Sequence, residues 1–115
     1  MSGTERSRLE AEEAVLARAI ERASAEVDRL TARRDGLRKS VEKLKGSIAR
    51  LEAKGSRVIT LAEYKQMRVD VVRLYRELAS VELDLRQKSA NLKKLRLDLS
   101  SARDCLRNLR RPKSL

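Results

Sequence analysis

Histidine is absent from this chain of 115 residues, and cysteine occurs once, at Cys105. Zinc in proteins is held mainly by these two residue types, and a disulfide needs two cysteines, so the composition excludes the usual zinc sites and an internal disulfide framework. The sequence also lacks a Gly-rich phosphate loop, a serine nucleophile motif and a carboxylate cluster suited to catalysis. We therefore expect a protein that is not an enzyme and that has no cofactor and no small-molecule substrate.

Aromatic residues are scarce as well, with two Tyr and no Phe or Trp, which argues against a conventional globular core. Charged residues make up 39% of the chain, and the apolar ones are mainly Leu, Ala, Val and Ile, a composition typical of long amphipathic helices. No apolar run approaches the roughly 20 residues of a membrane span, and the N-terminal segment is too polar for a signal peptide. We expect a soluble protein that is cytoplasmic or otherwise intracellular.

A heptad repeat, with positions written a to g and apolar residues at a and d, runs without a break from Tyr64 to Leu109. The a positions begin at Tyr64, the d positions begin at Met67, and the one polar residue among them is Lys88. A run of this length without Gly or Pro indicates a coiled-coil helix. This pattern predicts the second helix of the chain, at about 61–110, followed by a basic tail at 111–115.

A second heptad repeat precedes the first, with d positions from Leu9 to Leu51 and Arg34 at one a position. It predicts a first helix at about 4–54. Gly55 suits the end of that helix, and Thr60 with Glu63 forms the capping pattern that begins the next one. These signals predict a turn at 55–60, so that residues 1–115 form a single hairpin.

The two repeats match each other when the chain folds back on itself. Each a residue then meets a d residue, as in the pairs Leu51 with Tyr64 and Leu30 with Leu85, and Arg34 and Lys88 face apolar residues instead of each other. The same register predicts four flanking ion pairs, Arg38–Glu82, Glu52–Arg68, Arg33–Asp84 and Glu10–Arg110. The sequence therefore predicts an all-α fold, an antiparallel two-helix coiled-coil hairpin.

An outer apolar stripe on the second helix predicts self-association. Helices that are apolar on two faces are usually buried on two faces, so we expect a homodimer of hairpins that forms a four-helix bundle, or else a partner helix. The candidate interface residues are Val69, Val72, Ala79, Leu83, Ala90 and Leu97. The remaining alternative is a weakly apolar surface that faces solvent.

The net charge of +11 implies attraction to polyanions, either nucleic acid or an acidic protein surface. The second helix carries the candidate polyanion-binding residues, Arg86, Lys93, Lys94, Arg96, Arg103, Arg107, Arg110 and Arg111. Many of them share one flank of the helix, where they can follow phosphates without reading sequence. The competing interpretation is that the acidic start of the first helix neutralises this flank and that the rest is solvated.

Two smaller features complete the candidates. Val58, Ile59 and Leu61 place apolar side chains at the hairpin tip, where they either dock a partner or pack locally. Cys105 is expected to be a structural, half-buried thiol beside the seam, the row of apolar a and d residues through which the two helices pack. From these observations we predict a non-enzymatic scaffold or adaptor that self-associates and bridges partners in a larger assembly. The alternative is a sequence-nonspecific nucleic-acid-binding protein that uses the basic flank of the second helix.

Overall fold

The computed structural model describes residues 2–54 and 61–110, with side chains for residues 3–53 and 61–109, and all of these residues are helical. Helix α1 spans Ser2–Lys54, and helix α2 spans Leu61–Arg110. The prediction of an all-α fold with two helices packed against each other is confirmed for this part of the chain. The predicted turn at 55–60 and the basic tail at 111–115 lie outside the described residues.

Local sequence explains why both helices are long. Neither contains a proline, and each has a carboxylate in its first turn, Glu5 in α1 and Glu63 in α2, where it stabilises the positive end of the helix dipole. Gly36 and Gly46 interrupt α1 only mildly, since no other atom lies within 4 Å of the position that a Cβ would occupy at either residue. Neither glycine is therefore needed for a close approach of another segment.

The helices pair within two compact units of the chain. Unit 1 combines Met1–Asp28 with Arg86–Leu115, and unit 2 consists of Arg29–Leu85. Each unit thus contains one segment of α1 and one segment of α2. Within residues 2–54 and 61–110, neither helix has an apolar segment long enough to cross a membrane.

Unit 2 packs its two segments antiparallel. Arg38 Nη2 lies 3.2 Å from Glu82 Oε1, and the Tyr64 hydroxyl donates a hydrogen bond to Glu52, so residue numbers rise along α1 as they fall along α2. The predicted ion pair between Arg38 and Glu82 is confirmed. The buried residues of unit 2 all fall at a or d positions; they are Leu30, Val41 and Val81.

Unit 1 has the same antiparallel arrangement. Lys88 Nζ lies 3.7 Å from Glu26 Oε2, and Arg103 Nε lies 3.4 Å from Glu13 Oε1. The buried residues again occupy a and d positions of the seam; they are Leu92, Leu99, Ala102 and Leu106. In both units the apolar seam that the heptads predict is therefore the core, and it is a narrow core because only two helices contribute to it.

Two of the four predicted flanking ion pairs, Glu52–Arg68 and Arg33–Asp84, are not found, and a third, Glu10–Arg110, involves a side chain outside the described residues. The Tyr64 hydroxyl bridges Glu52 and Arg68 in place of a direct ion pair. It donates a hydrogen bond to Glu52 and accepts one of 3.4 Å from Arg68 Nη1. Glu10 pairs instead with Arg6 on its own helix, at 3.6 Å, and the side chain of Arg110 lies outside the described residues.

The predicted pair Arg33–Asp84 is wrong for a simple reason. Both residues are exposed, and no ion pair links them within 4.0 Å in the described structure. An exposed pair gains at most about 1 kcal/mol, which is close to the entropy that ordering two long side chains costs. Both the hairpin connection and self-association into a four-helix bundle stay predictions.

Candidate polyanion-binding and self-association surfaces

The basic side chains of α2 in unit 1 project into solvent. Arg86, Lys93, Lys94 and Arg96 are exposed and have no ion pair with any described residue. This exposure follows from their heptad positions, since b, c and e lie outside the a and d seam. Four uncompensated cations on one helix segment leave a local excess of positive charge.

Two further arginines of this group are paired. Arg103 contacts Glu13 of α1, and Arg107 Nη1 lies 3.6 Å from Asp104 Oδ1 one turn earlier on α2. The arginine side chains remain 57% and 68% exposed, so both ion pairs are open to water and to competing anions. Arg110 and Arg111 belong to the same prediction, but the side chain of the first and the whole of the second lie outside the described residues.

The structure brings three of the predicted cations together around one groove, here called the arginine groove. It is an open depression of about 480 Å³ between α1 and α2 of unit 1. Ile20 and Leu99 contribute apolar lining, and the charged lining consists of Arg96, Arg103, Arg107 and one carboxylate, Asp104. The sequence predicted that these arginines share one flank, and the structure adds that they line a concave surface.

Acidic residues of α1 neutralise the basic flank only in part. The structure gives α2 cations of unit 1 two partners on α1: Glu13 for Arg103 and Glu26 for Lys88. The four exposed cations named above have none among the described residues. Partial pairing with exposure of the other cations is compatible with both interpretations, so the choice between a polyanion-binding flank and a solvated one stays open.

A second groove of unit 1 lies at a different set of residues. It has a volume of about 630 Å³, and its lining includes Leu9, Val15, Leu16 and Cys105. Val15 is 65% exposed, and the sequence analysis did not single it out because one valine at a c position forms no stripe. Cys105 is exposed, so the expectation of a half-buried thiol is wrong. The groove beside the thiol leaves it open to solvent.

The candidate interface residues are all exposed. In unit 2, Val69, Val72 and Leu83 retain 59%, 50% and 55% of their surface, and Ala79 is exposed beside them. A groove of about 280 Å³ adjoins Val72 and is lined in part by Ile48 and Val71 of the seam. In unit 1, Ala90 and Leu97 are exposed as well. Their exposure meets one requirement of the predicted interface, which itself stays a prediction.

Of the three tip residues, one can be described. Leu61 is 68% exposed at the first position of α2. Val58 and Ile59 lie outside the described residues, so the choice between docking and local packing at the tip stays open.

Sequence reasoning missed a cation–aromatic contact in unit 2. Lys45 Nζ lies 5.8 Å from the centre of the Tyr75 ring, within the range of a cation–π interaction. A hydrogen bond to Tyr75, followed by the charges of Tyr75 and Glu42, raises the pKa of Lys45 above its usual value. The heptad register could have predicted this contact, because Lys45 and Tyr75 occupy facing e positions, as Arg38 and Glu82 do.

The described residues define an all-α protein with a two-helix seam and exposed basic and apolar surfaces. Among them, no group of three His, Cys, Asp or Glu side chains is placed to hold a metal ion. No protein-family model, no curated protein and no solved structure matches this chain. Its function must therefore be argued from these surfaces.

Proposed function

We propose that this protein is a non-enzymatic coiled-coil scaffold or adaptor that self-associates and bridges partners in a larger assembly. The observation that supports this function is the exposed apolar surface of α2 in unit 2, formed by Val69, Val72, Ala79 and Leu83. Three of these side chains are half or more exposed, whereas the a and d residues on the other face of the same helix segment are partly or fully buried. A helix that is apolar on both sides gains from a second partner.

Self-association is tested by sedimentation equilibrium of the full chain with a pair of substitutions at this surface. The wild type is expected to sediment as a dimer of the 13.1 kDa chain, and Val72→Gln with Leu83→Gln is expected to return it to a monomer. Glutamine has a high helix propensity, so helix content by circular dichroism should be unchanged. Val15→Gln in unit 1, at a valine that is also more than half exposed, is the control and should leave the dimer intact.

Two results would contradict the self-association. One is a wild-type chain that remains monomeric at high micromolar concentration. The other is a dimer that survives substitution of Val72 and Leu83 together but dissociates when Val15 is replaced, which would move the interface to unit 1.

A second function, sequence-nonspecific binding of nucleic acid, is favoured by the arginine groove and by the four exposed cations beside it. Such cations contact phosphates without reading base identity, and each contact releases counterions, so affinity falls steeply with salt. We expect the chain to shift a 20-base-pair duplex in fluorescence anisotropy at 50 mM salt and to lose most of this binding at 200 mM.

A matched pair of substitutions distinguishes duplex binding at a defined site from general attraction of the duplex to a positively charged protein. Arg96→Gln in unit 1 and Arg73→Gln in unit 2 each remove one exposed positive charge, and Arg73 already has an ion pair with Asp70 at 3.2 Å. Arg96→Gln should weaken duplex binding more than Arg73→Gln does. Equal losses would indicate attraction by net charge alone, and no shift at 50 mM salt would exclude this second function.

A further inference from the structure

One arginine of the arginine groove already has a carboxylate partner, which would compete with a bound anion. Glu13 belongs to α1 and reaches Arg103 of α2, with Oε1 lying 3.4 Å from Nε. Glu13 sits at an a position, where the heptad pattern would place an apolar residue, and its side chain is 33% exposed. It is thus held near the seam with its carboxylate directed to one of the three groove arginines.

We infer that the arginine groove of unit 1 binds the phosphate backbone of a nucleic-acid duplex and that Glu13 competes with a phosphate for Arg103. This inference rests on the second proposed function and specifies its site and its internal regulation. Arg96 has no partner among the described residues. Arg107 pairs with exposed Asp104 of its own helix, a carboxylate that also lines the groove, so neither arginine must break a contact between the helices to reach a phosphate. Arg103 must first exchange Glu13 for the incoming phosphate.

The donors that line the groove suit an oxyanion such as a phosphate. A guanidinium presents paired donors that match the oxygens of a phosphate as well as those of a carboxylate, and three arginines line this one depression. Ser100, which also lines the groove, offers a hydroxyl that can donate one further hydrogen bond to a phosphate oxygen. A phosphodiester backbone, with one charge per nucleotide, satisfies several of these groups at once.

Composition selects a duplex over a single strand. Proteins that bind single strands combine cations with aromatic side chains on which bases stack. The only aromatic residues of the chain, Tyr64 and Tyr75, both belong to unit 2, so unit 1 has none. An anionic membrane is a poorer match, because apolar side chains that insert into lipid must be free, and Leu99 of the groove is already buried in the seam.

Competition by Glu13 gives the inference a test in which affinity increases. Glu13→Gln removes the carboxylate and should tighten binding of the 20-base-pair duplex about two- to fivefold at 50 mM salt, the range expected for loss of one exposed ion pair. Glu12→Gln is the matched control, because it changes net charge equally but Glu12 lines the other groove of unit 1. It should alter affinity less than twofold.

A double-mutant cycle then shows whether Arg103 mediates the effect. In a chain that carries Arg103→Gln, replacing Glu13 by Gln should change duplex affinity no more than replacing Glu12 does. Helix content by circular dichroism confirms that each variant is folded. DNA and RNA duplexes are measured in parallel, since both present the same phosphodiester chemistry.

The outcomes separate the inference from the function on which it rests. If the wild type does not bind either duplex, the nucleic-acid function fails. If the wild type binds but Glu13→Gln and Glu12→Gln behave alike, the function stands and competition at Arg103 is excluded. If polyglutamate or phosphatidylserine vesicles bind as tightly as a duplex and respond equally to Glu13→Gln, the groove does not select a phosphodiester duplex.

Discussion

Arg34 occupies an a position of the apolar seam, yet its charge does not stay there. Its Nε and Nη2 both lie 3.1 Å from Asp35 Oδ1, and 27% of the side chain is exposed. The aliphatic stem therefore lies along the seam of unit 2 while the guanidinium reaches a carboxylate at the surface. Asp35 is 52% exposed, so this pair adds little to stability, and the seam position is used less well than an apolar residue would use it.

Arg34→Leu should therefore stabilise the protein. We expect the free energy of unfolding, measured by urea denaturation with circular dichroism, to rise by about 1 kcal/mol, because leucine buries more apolar surface at this position. Arg33→Leu, at the neighbouring exposed residue, is the control and should stay within about 0.5 kcal/mol of the wild type. A loss of stability with Arg34→Leu would mean that the arginine stem and its contact with Asp35 contribute more than a buried leucine does.

At the scale of the helices, every buried residue lies at a predicted a or d position, although the d residue Leu109 is 37% exposed, and the pairing of the flanking side chains was mostly not predicted. The apolar period decides burial, because a misplaced heptad would expose a whole row of leucines, and Leu30, Val81 and Leu106 are buried as predicted. The flanks are decided by small differences between rotamers in water. Arg38 finds Glu82, whereas the Tyr64 hydroxyl occupies the place expected for a direct contact of Glu52 with Arg68.

The candidate sites were predictable to a similar degree. Heptad positions b and e placed Arg96, Arg103 and Arg107 on one flank, and all three line the arginine groove. The groove itself, and the reach of Glu13 to Arg103, could not be read from the sequence, because both depend on how two helices approach. Cys105 is the clearest case of a burial that heptad position does not decide. A residue at g lies beside the seam and is buried only where the facing side chain packs over it, and Cys105 is exposed.

For the whole molecule, the excess positive charge is divided almost equally between unit 1 and unit 2, although the basic flank of α2 lies in unit 1. Unit 1 contains 14 Lys and Arg against nine Asp and Glu, and unit 2 contains 14 against eight. The acids of α1 lower the net charge of the unit that carries the basic flank. Each unit therefore has an excess of positive charges that repel one another. This repulsion destabilises the fold, whereas the exposed ion pairs stabilise it.

The balance between these two effects predicts how salt changes stability. Raising the ionic strength from about 0.01 M to about 0.15 M shortens the Debye length from about 30 Å to about 8 Å. Screening then weakens repulsion throughout a chain of net charge +11, while the ion pairs it also weakens are exposed and worth less than about 1 kcal/mol each. We expect the thermal unfolding midpoint to rise by about 4 °C, which corresponds to about 1 kcal/mol for a chain of this size.

Circular dichroism melts in NaCl and in NaBr test this expectation, at one protein concentration because self-association also shifts the midpoint. Equal rises in the two salts identify screening as the cause. A midpoint that stays constant or falls would mean that pairs such as Arg38–Glu82 and Glu13–Arg103 outweigh the repulsion. The interface between the helices would then be more electrostatic than its exposed geometry implies, and stability would depend on the same contact that we propose a duplex must displace.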